Sequence, residues 1–384
     1  MRFRNNVRRV VFVGLCICLL SVVTPIPAAQ ATNPPANCPT TISTSNPNAS
    51  PAAKQVLTYL WELPTHSTNR VIAGQFGAYG DGADAATSSA RLQKIFDETG
   101  KWVGLTGMDY HTWDINHYNN LAMPNAYLIE QWQSGSLVTV SWHAINPWTS
   151  GESNDWEYPK GSINTPVVRE LITPGTAVNA RWMQIIGNIA DGLKELQDKG
   201  VVVIWRPFHE MNGEWFWWSR QTQADFSALW QHMYNYFTNE RGLNNILWGF
   251  SPNLNGGKDS RRTDYYWPGD EYVDVVGVDK YMALNENPLS LDQWGDYKLL
   301  IAKCKPFGIF EFGPTPADAQ PDSPRYDYTR LIRDIKNRYP RTVFFQAWEW
   351  HWALSENKNI KQLLNDPWIV TQDELPKWDA ETSS

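Results

Sequence analysis

Basic charge, cysteine and long apolar runs are all scarce in this chain. Of 384 residues only 33 are Lys or Arg, against 40 Asp or Glu. There is no basic stripe, so a polyanionic ligand would be repelled and nucleic acid is excluded as a partner. There are four cysteines, and the two outside the N-terminal apolar run, Cys38 and Cys304, do not look catalytic. No short-period repeat is present, which speaks against a solenoid or a cell-wall structural array. A Gly-rich phosphate loop is also missing. After the first strand candidate the chain reads Gly74-Gln75-Phe76-Gly77, which lacks the spacing of a dinucleotide fingerprint.

The single long apolar run is N-terminal. Arg2, Arg4, Arg8 and Arg9 precede Val10 to Val23, and Ala29-Gln30-Ala31 follows as a small-x-small site. This is the pattern of a secretory signal over residues 1–31, cut after Ala31, and the run is short for a membrane anchor. Removing its four arginines takes the net charge from −7 to −11. Adjacent Arg8 and Arg9 also fit twin-arginine export, though such pairs are common in signals. The protein is therefore expected outside the cell, free of the membrane after cleavage, and monomeric. Cys16 and Cys18 leave with the signal. Cys38 and Cys304 remain, each preceding a strand, so a disulfide between them and two free thiols are both open readings.

What is abundant is tryptophan: 21 residues, in a chain that is 13% aromatic. A Trp-rich core is the plain reading. Tryptophan also favours edges and clefts, because its N–H needs a partner, and its flat ring suits the C–H face of a sugar. An uncharged polysaccharide is compatible with the acidic charge.

Residues 32–50, rich in Pro, Asn, Ser and Thr, predict a disordered linker. From 51 to about 380 one domain is expected. Its strand candidates are Val71 to Phe76, Trp102 to Met108, Leu137 to His143, Val201 to Arg206, Asn245 to Phe250, Val273 to Tyr281, Phe307 to Phe312 and Thr342 to Trp348. They are short and dense in Val, Ile, Leu and aromatics, as strands buried on both faces are. Helical patterns lie between them. The clearest, 178–198, sets Trp182, Ile185, Ile186, Ile189, Leu193 and Leu196 on one face before Gly200. Eight strands alternating with helices predict an α/β fold, a single (β/α)8 TIM barrel, with a doubly wound sheet as the structural alternative.

Barrels carry their chemistry at the C-terminal ends of strands. Here those ends hold Asp109-Tyr110-His111, Trp142-His143, His209-Glu210, Asp279-Lys280-Tyr281, Glu311 and Trp348-Glu349-Trp350. His209-Glu210 invites a zinc reading, but the second histidine that a zincin needs is replaced by Gly213. Glu210, among Trp and Phe, is better read as a carboxyl whose pKa is raised so that it holds a proton near neutrality. His209 and Asn212 could orient it or bind a sugar hydroxyl. Glu311 ends a very apolar strand, and is either a buried acid in an ion pair or a nucleophile that Tyr281 holds by a hydrogen bond. One protonated and one ionised carboxyl are what acetal hydrolysis requires. About 5 Å between them gives retention and about 6.5 Å or more gives inversion.

At these residues the chain resembles glycoside hydrolase family 26. The matching segments are Arg206-Pro207 with His209-Glu210, Gly213 and Trp215 to Trp218, then Tyr266 to Asp270, then Val273 to Asp279 with Tyr281. Glu311 with Gly313-Pro314, and Trp142-His143 with Asn146-Pro147, complete the set. The resemblance runs from about residue 47 to the C-terminus. It implies a retaining barrel with Glu210 as acid/base on strand 4 and Glu311 as nucleophile on strand 7. It implies that His143, His209, Trp215 and Tyr281 line the sugar pocket, with Trp348 as a stacking platform. No metal or organic cofactor is implied. The implied activity is endo-cleavage of β-1,4-mannan, galactomannan or glucomannan. Mixed-linkage β-glucanase is the substrate alternative, and a non-catalytic carbohydrate-binding barrel is the rival of another class. Glu349-Trp350-His351-Trp352, and the 147–165 loop with Trp148, Glu152, Asp155, Trp156 and Tyr158, depart from the family pattern.

Overall fold

The structure is a computed structural model describing residues 33–78, 85–110, 122–148, 167–254, 261–314 and 325–378. The signal segment, His111, Glu152, Asp155, Trp156 and Tyr158 lie outside the described residues.

Eight parallel strands close on themselves. They are β1 (Val71–Ala78), β2 (Leu105–Asp109), β3 (Leu137–Trp142), β4 (Val203–Pro207), β5 (Ile246–Phe250), β6 (Val275–Met282), β7 (Phe307–Pro314) and β8 (Thr342–Ala347). Each pairs with the next, and β1 pairs with both β8 and β2, which seals the barrel. A two-residue strand, β9 (Ile369–Val370), adds to the start of β1. The strands β1 to β5 and β8 are buried along their whole length, the condition for a parallel sheet covered on both faces.

The helices between them are α1 (Pro51–Glu62), α2 (Ala85–Thr99), α3 (Ala122–Gln133), α4 (Val168–Leu171), α5 (Ala177–Asp198), α6 (Gln223–Asn235), α7 (Asp296–Ile301), α8 (Thr329–Arg338) and α9 (Ile360–Leu364). The α5 stripe is buried as its periodicity predicts, from Trp182 to Leu196. The Thr176 hydroxyl caps its first turn by accepting from Asn179 N at 3.0 Å, satisfying a donor that the helix leaves open.

The barrel's lower end is plugged. Ile72, Leu105, Leu137, Ile204, Leu247, Val275, Phe310 and Phe344, one from each strand, form a single apolar cluster with Ala53, Val56, Leu57 and Leu60 of α1. Side chains toward the strands' C-terminal ends are thereby left to form the site on a rigid floor.

Residues 33–50 differ from the disordered linker expected of their composition. Ser45 N and Oγ both donate to Asp274, the latter at 2.8 Å. Asn46 Nδ2 donates to Asn244 Oδ1 at 2.9 Å, and Ser50 N donates to Asn244 O at 2.7 Å. Cys38 forms a disulfide with Cys304, just before β7. Short polar side chains look like linker in sequence, but here their partners are carboxylate and amide groups some two hundred residues away.

The tryptophans divide between the core and partly exposed positions. Trp142, Trp182, Trp205, Trp217, Trp218, Trp230 and Trp248 are all fully buried. Among the described residues no helix is long and apolar enough to cross a membrane.

Candidate active site

The end of β4 sets the geometry. Immediately after Pro207 the backbone turns left-handed at Phe208 (φ 50°) and again at Glu210 (φ 52°), a conformation that costs non-glycine residues of order 1–3 kcal/mol each. The surroundings fix it. Glu210 N donates to Ser251 O at 2.8 Å, Gly213 N to Glu210 O at 2.9 Å, and the Trp218 indole to His209 O at 2.9 Å. The two turns present His209 and Glu210 to the barrel mouth side by side.

Glu210 is 8% exposed and accepts from two neighbours: Trp215 Nε1 at 2.8 Å on one oxygen, and the Asn253 amide on the other. Burial, and next the charge of Glu311, push its carboxyl up to about 7. The cause inferred from sequence, an apolar setting, is the leading one.

Glu311 comes from β7 and is bound on both oxygens. Arg206 Nη2 donates to Oε1, and the Tyr281 hydroxyl donates to Oε2 at 2.9 Å. The ion-pair reading and the Tyr281 reading of Glu311 are therefore both realised. Arg206, on β4, also donates through Nη1 to Asp279 of β6 at 2.8 Å. Although burial works to lower it, the Asp279 and Glu311 carboxylates raise the Arg206 pKa, so this buried guanidinium stays charged. Burial and the charges of Glu311 and Glu210 raise the Tyr281 phenol as well, which keeps it a donor. One oxygen each of Glu210, Asp279 and Glu311 lies within 4.8 Å of the other two.

The remaining wall is built on β3. Asp109, at the end of β2, accepts from His143 N at 3.1 Å and faces His143 Nδ1 at 2.8 Å. Nε2 of His143 then lies 3.2 Å from Nε2 of His209. Burial, followed by the charges of Arg206 and His143, drives the His209 pKa well below its usual value, so His209 is neutral. Trp348 leaves the end of β8 with its ring stacked on Phe76 at 4.2 Å.

All seven residues singled out from the sequence thus sit at one end of the barrel. Glu210, Trp215, Tyr281 and Glu311 are joined through direct or shared contacts, and His143 and His209 form a pair. Sequence reasoning missed the connecting residues. Arg206 lies inside the strand-4 motif and Asp279 at a strand end, but nothing local in the sequence gives either a role. Asn253 lies just past β5, at a strand end that the same rule covers. Trp352, one of the departures from the family pattern, packs its ring edge-on to Tyr281 at 5.4 Å.

A closed parallel barrel with two carboxyls this close at its C-terminal mouth has the architecture of a glycoside hydrolase. The chain belongs to glycosyl hydrolase family 26, whose sequence profile matches residues 45–374. It is 37% identical over 380 residues to the mannan endo-1,4-beta-mannosidase A and B of Caldalkalibacillus mannanilyticus, covering 96% of this chain and 68% of that protein. It is 33% identical to a mannan endo-1,4-beta-mannosidase of Bacillus subtilis, covering 89% of this chain and 91% of that one. A solved Bacillus subtilis mannanase superposes with a TM-score of 0.73 at 32% identity, over 88% of this chain and 97% of that chain.

Proposed function

We propose that this glycoside hydrolase is a secreted, endo-acting β-1,4-mannanase that works with retention, using Glu311 as nucleophile and Glu210 as acid/base. The observation that carries the mechanism is the separation: one oxygen of Glu210 lies within 4.8 Å of one of Glu311, which suits the spacing of about 5 Å in retaining pairs and not the roughly 6.5 Å or more that an inverting pair needs to admit a water. The relatives' names support the substrate and the internal cleavage. The N-terminal basic and apolar pattern supports secretion, and so does the Cys38–Cys304 disulfide, which suits an oxidising compartment.

In the first step a Glu311 oxygen bonds to the anomeric carbon while the glycosidic C–O bond breaks, and the Glu210 proton passes to the departing oxygen. In the second, Glu210 takes a proton from water, the water oxygen bonds to the anomeric carbon, and the ester to Glu311 breaks. Esterification removes the Glu311 charge that had helped to hold Glu210 up, so Glu210's affinity for a proton falls as its role turns to base. His143, His209, Trp215, Tyr281 and Trp348 surround the sugar.

The test is reducing-sugar release from galactomannan by the mature protein, with Glu311→Ala as control and the product anomer followed by NMR. Release of the β-anomer that vanishes in the variant agrees with the reading. The α-anomer as first product overturns retention. Cleavage of lichenan in place of mannan overturns the substrate, and binding to β-glycans without any cleavage favours the binding-only barrel.

A further inference from the structure

At the opposite end of the barrel from Glu210 and Glu311, the described residues enclose a groove of about 560 Å³. Its walls come from the end of α3, the turn before β3, the residue closing α5 and the segment after β9. All of these precede strands or follow β9, which pairs with the start of β1, so the groove opens on the face where the strands begin.

The lining has a particular chemistry. Trp132 and Trp378 are both half-buried, packed from beneath by the apolar cluster around α1. Trp378 is held edge-on to Tyr59 at 5.5 Å. Around them, Gln133, Ser134, Lys199 and Lys377 are exposed and offer amide, hydroxyl and ammonium groups. The floor is braced, because Gln372 Nε2 donates to Ser136 Oγ at 2.9 Å and Lys101 pairs with Asp373 at 2.9 Å. Flat apolar rings held from behind and flanked by amide, hydroxyl and ammonium groups match a chain of pyranose units, which shows C–H faces and a rim of hydroxyls. The volume lies within the range of built ligand sites, about 300–1,000 Å³.

We infer that this groove is a second carbohydrate site, which holds the polysaccharide substrate on the face away from the catalytic mouth. The inference rests on the mannanase reading for the identity of the glycan. A chain held there stays near the enzyme between cleavages, and an oligosaccharide too short to reach from one face to the other gains nothing.

The experiment has two arms on the mature protein. Retardation in native gels containing soluble galactomannan is compared for Glu311→Ala and for Glu311→Ala with Trp378→Ala. Hydrolysis of a short β-1,4-manno-oligosaccharide is compared for the parent and Trp378→Ala alone. The expected result is a five- to tenfold loss of retention (about the worth of one aromatic contact) with KM and kcat on the oligosaccharide unchanged. Equal retention with and without Trp378→Ala overturns the groove. If Trp378→Ala melts at a lower temperature, Gln133→Ala with Lys377→Ser, both at exposed positions, decides by the same criterion. A parent that does not cleave the oligosaccharide overturns the mannanase reading instead, which separates the two failures.

Discussion

Tyr281 donates to Oε2 of Glu311 across 2.9 Å, the oxygen opposite the one that Arg206 holds. Glu311 is therefore aimed from two sides, by a strand-4 cation and a strand-6 phenol. Tyr281→Phe removes one of these while keeping the ring against Trp352. Loss of a hydrogen bond to a charged group is worth about 1.5–3 kcal/mol, so kcat should fall about 10- to 100-fold with little change in melting temperature. Steady-state kinetics check it, and an unchanged kcat would mean that Arg206 alone aims the carboxylate.

Glu210 gives the pH dependence. Its carboxyl must carry a proton for the first step and is pushed up to about 7. Hence kcat/KM should decline as pH rises through about 7, and Glu210→Gln should abolish that alkaline limb along with most activity on natural substrate. Glu210→Ala should spare substrates with good leaving groups, which need no proton. A limb that persists in the variants would assign it to another group.

The same shift acts on stability. The folded value lies above the ordinary 4.5, so Glu210 binds more protons folded than unfolded between these pH values. Its contribution is fully present below about 4.5 and lost as pH rises through about 7. Glu210→Gln should therefore melt near the parent at about pH 4 and above it at about pH 8, by on the order of 1–3 kcal/mol. Thermal melts at the two pH values decide it; a variant less stable than the parent at the higher pH contradicts the sign.

Gly313 offers a steric test. A Cβ there would meet the Trp352 side chain at 2.5–2.8 Å, and Trp352 packs on Tyr281. Overpacking of this kind costs about 1–3 kcal/mol. Gly313→Ala should lower kcat by loosening Tyr281, and Trp352→Leu should recover part of the packing loss in the double variant. Strictly additive effects in the cycle would show that the two residues are uncoupled.

The disulfide joins residues 266 apart in sequence. Cys304→Ser, or reduction, should destabilise the fold by about 2–4 kcal/mol, read as a lower midpoint in denaturant, while the kinetics at low temperature stay unchanged. Identical midpoints with and without reductant would show that the bridge adds nothing.

The barrel was legible because its strands are short runs dense in apolar residues, and the structure places all eight strands within a few residues of their candidates. Glu210 and Glu311 were legible because strand ends in such a barrel converge. Contacts across the barrel were not. Arg206 reaches Asp279 and Glu311 on β6 and β7, and no local pattern in Val203–Pro207 announces that crossing. Asn253 escaped because its strand end carries no acid, histidine or tryptophan to draw attention. The lead-in at 33–50 escaped because composition reports the absence of apolar residues, whereas its anchors are polar.

The strap formed by the lead-in also sets the topology of the chain. The bridge from Cys38 to Cys304 closes a covalent ring that takes in β1 to β6, six of the eight strands, and leaves β7 and β8 on the free tail. With the bridge intact, an unfolded chain is therefore a large loop with a short tail, and only the tail's two strands can separate fully from the rest.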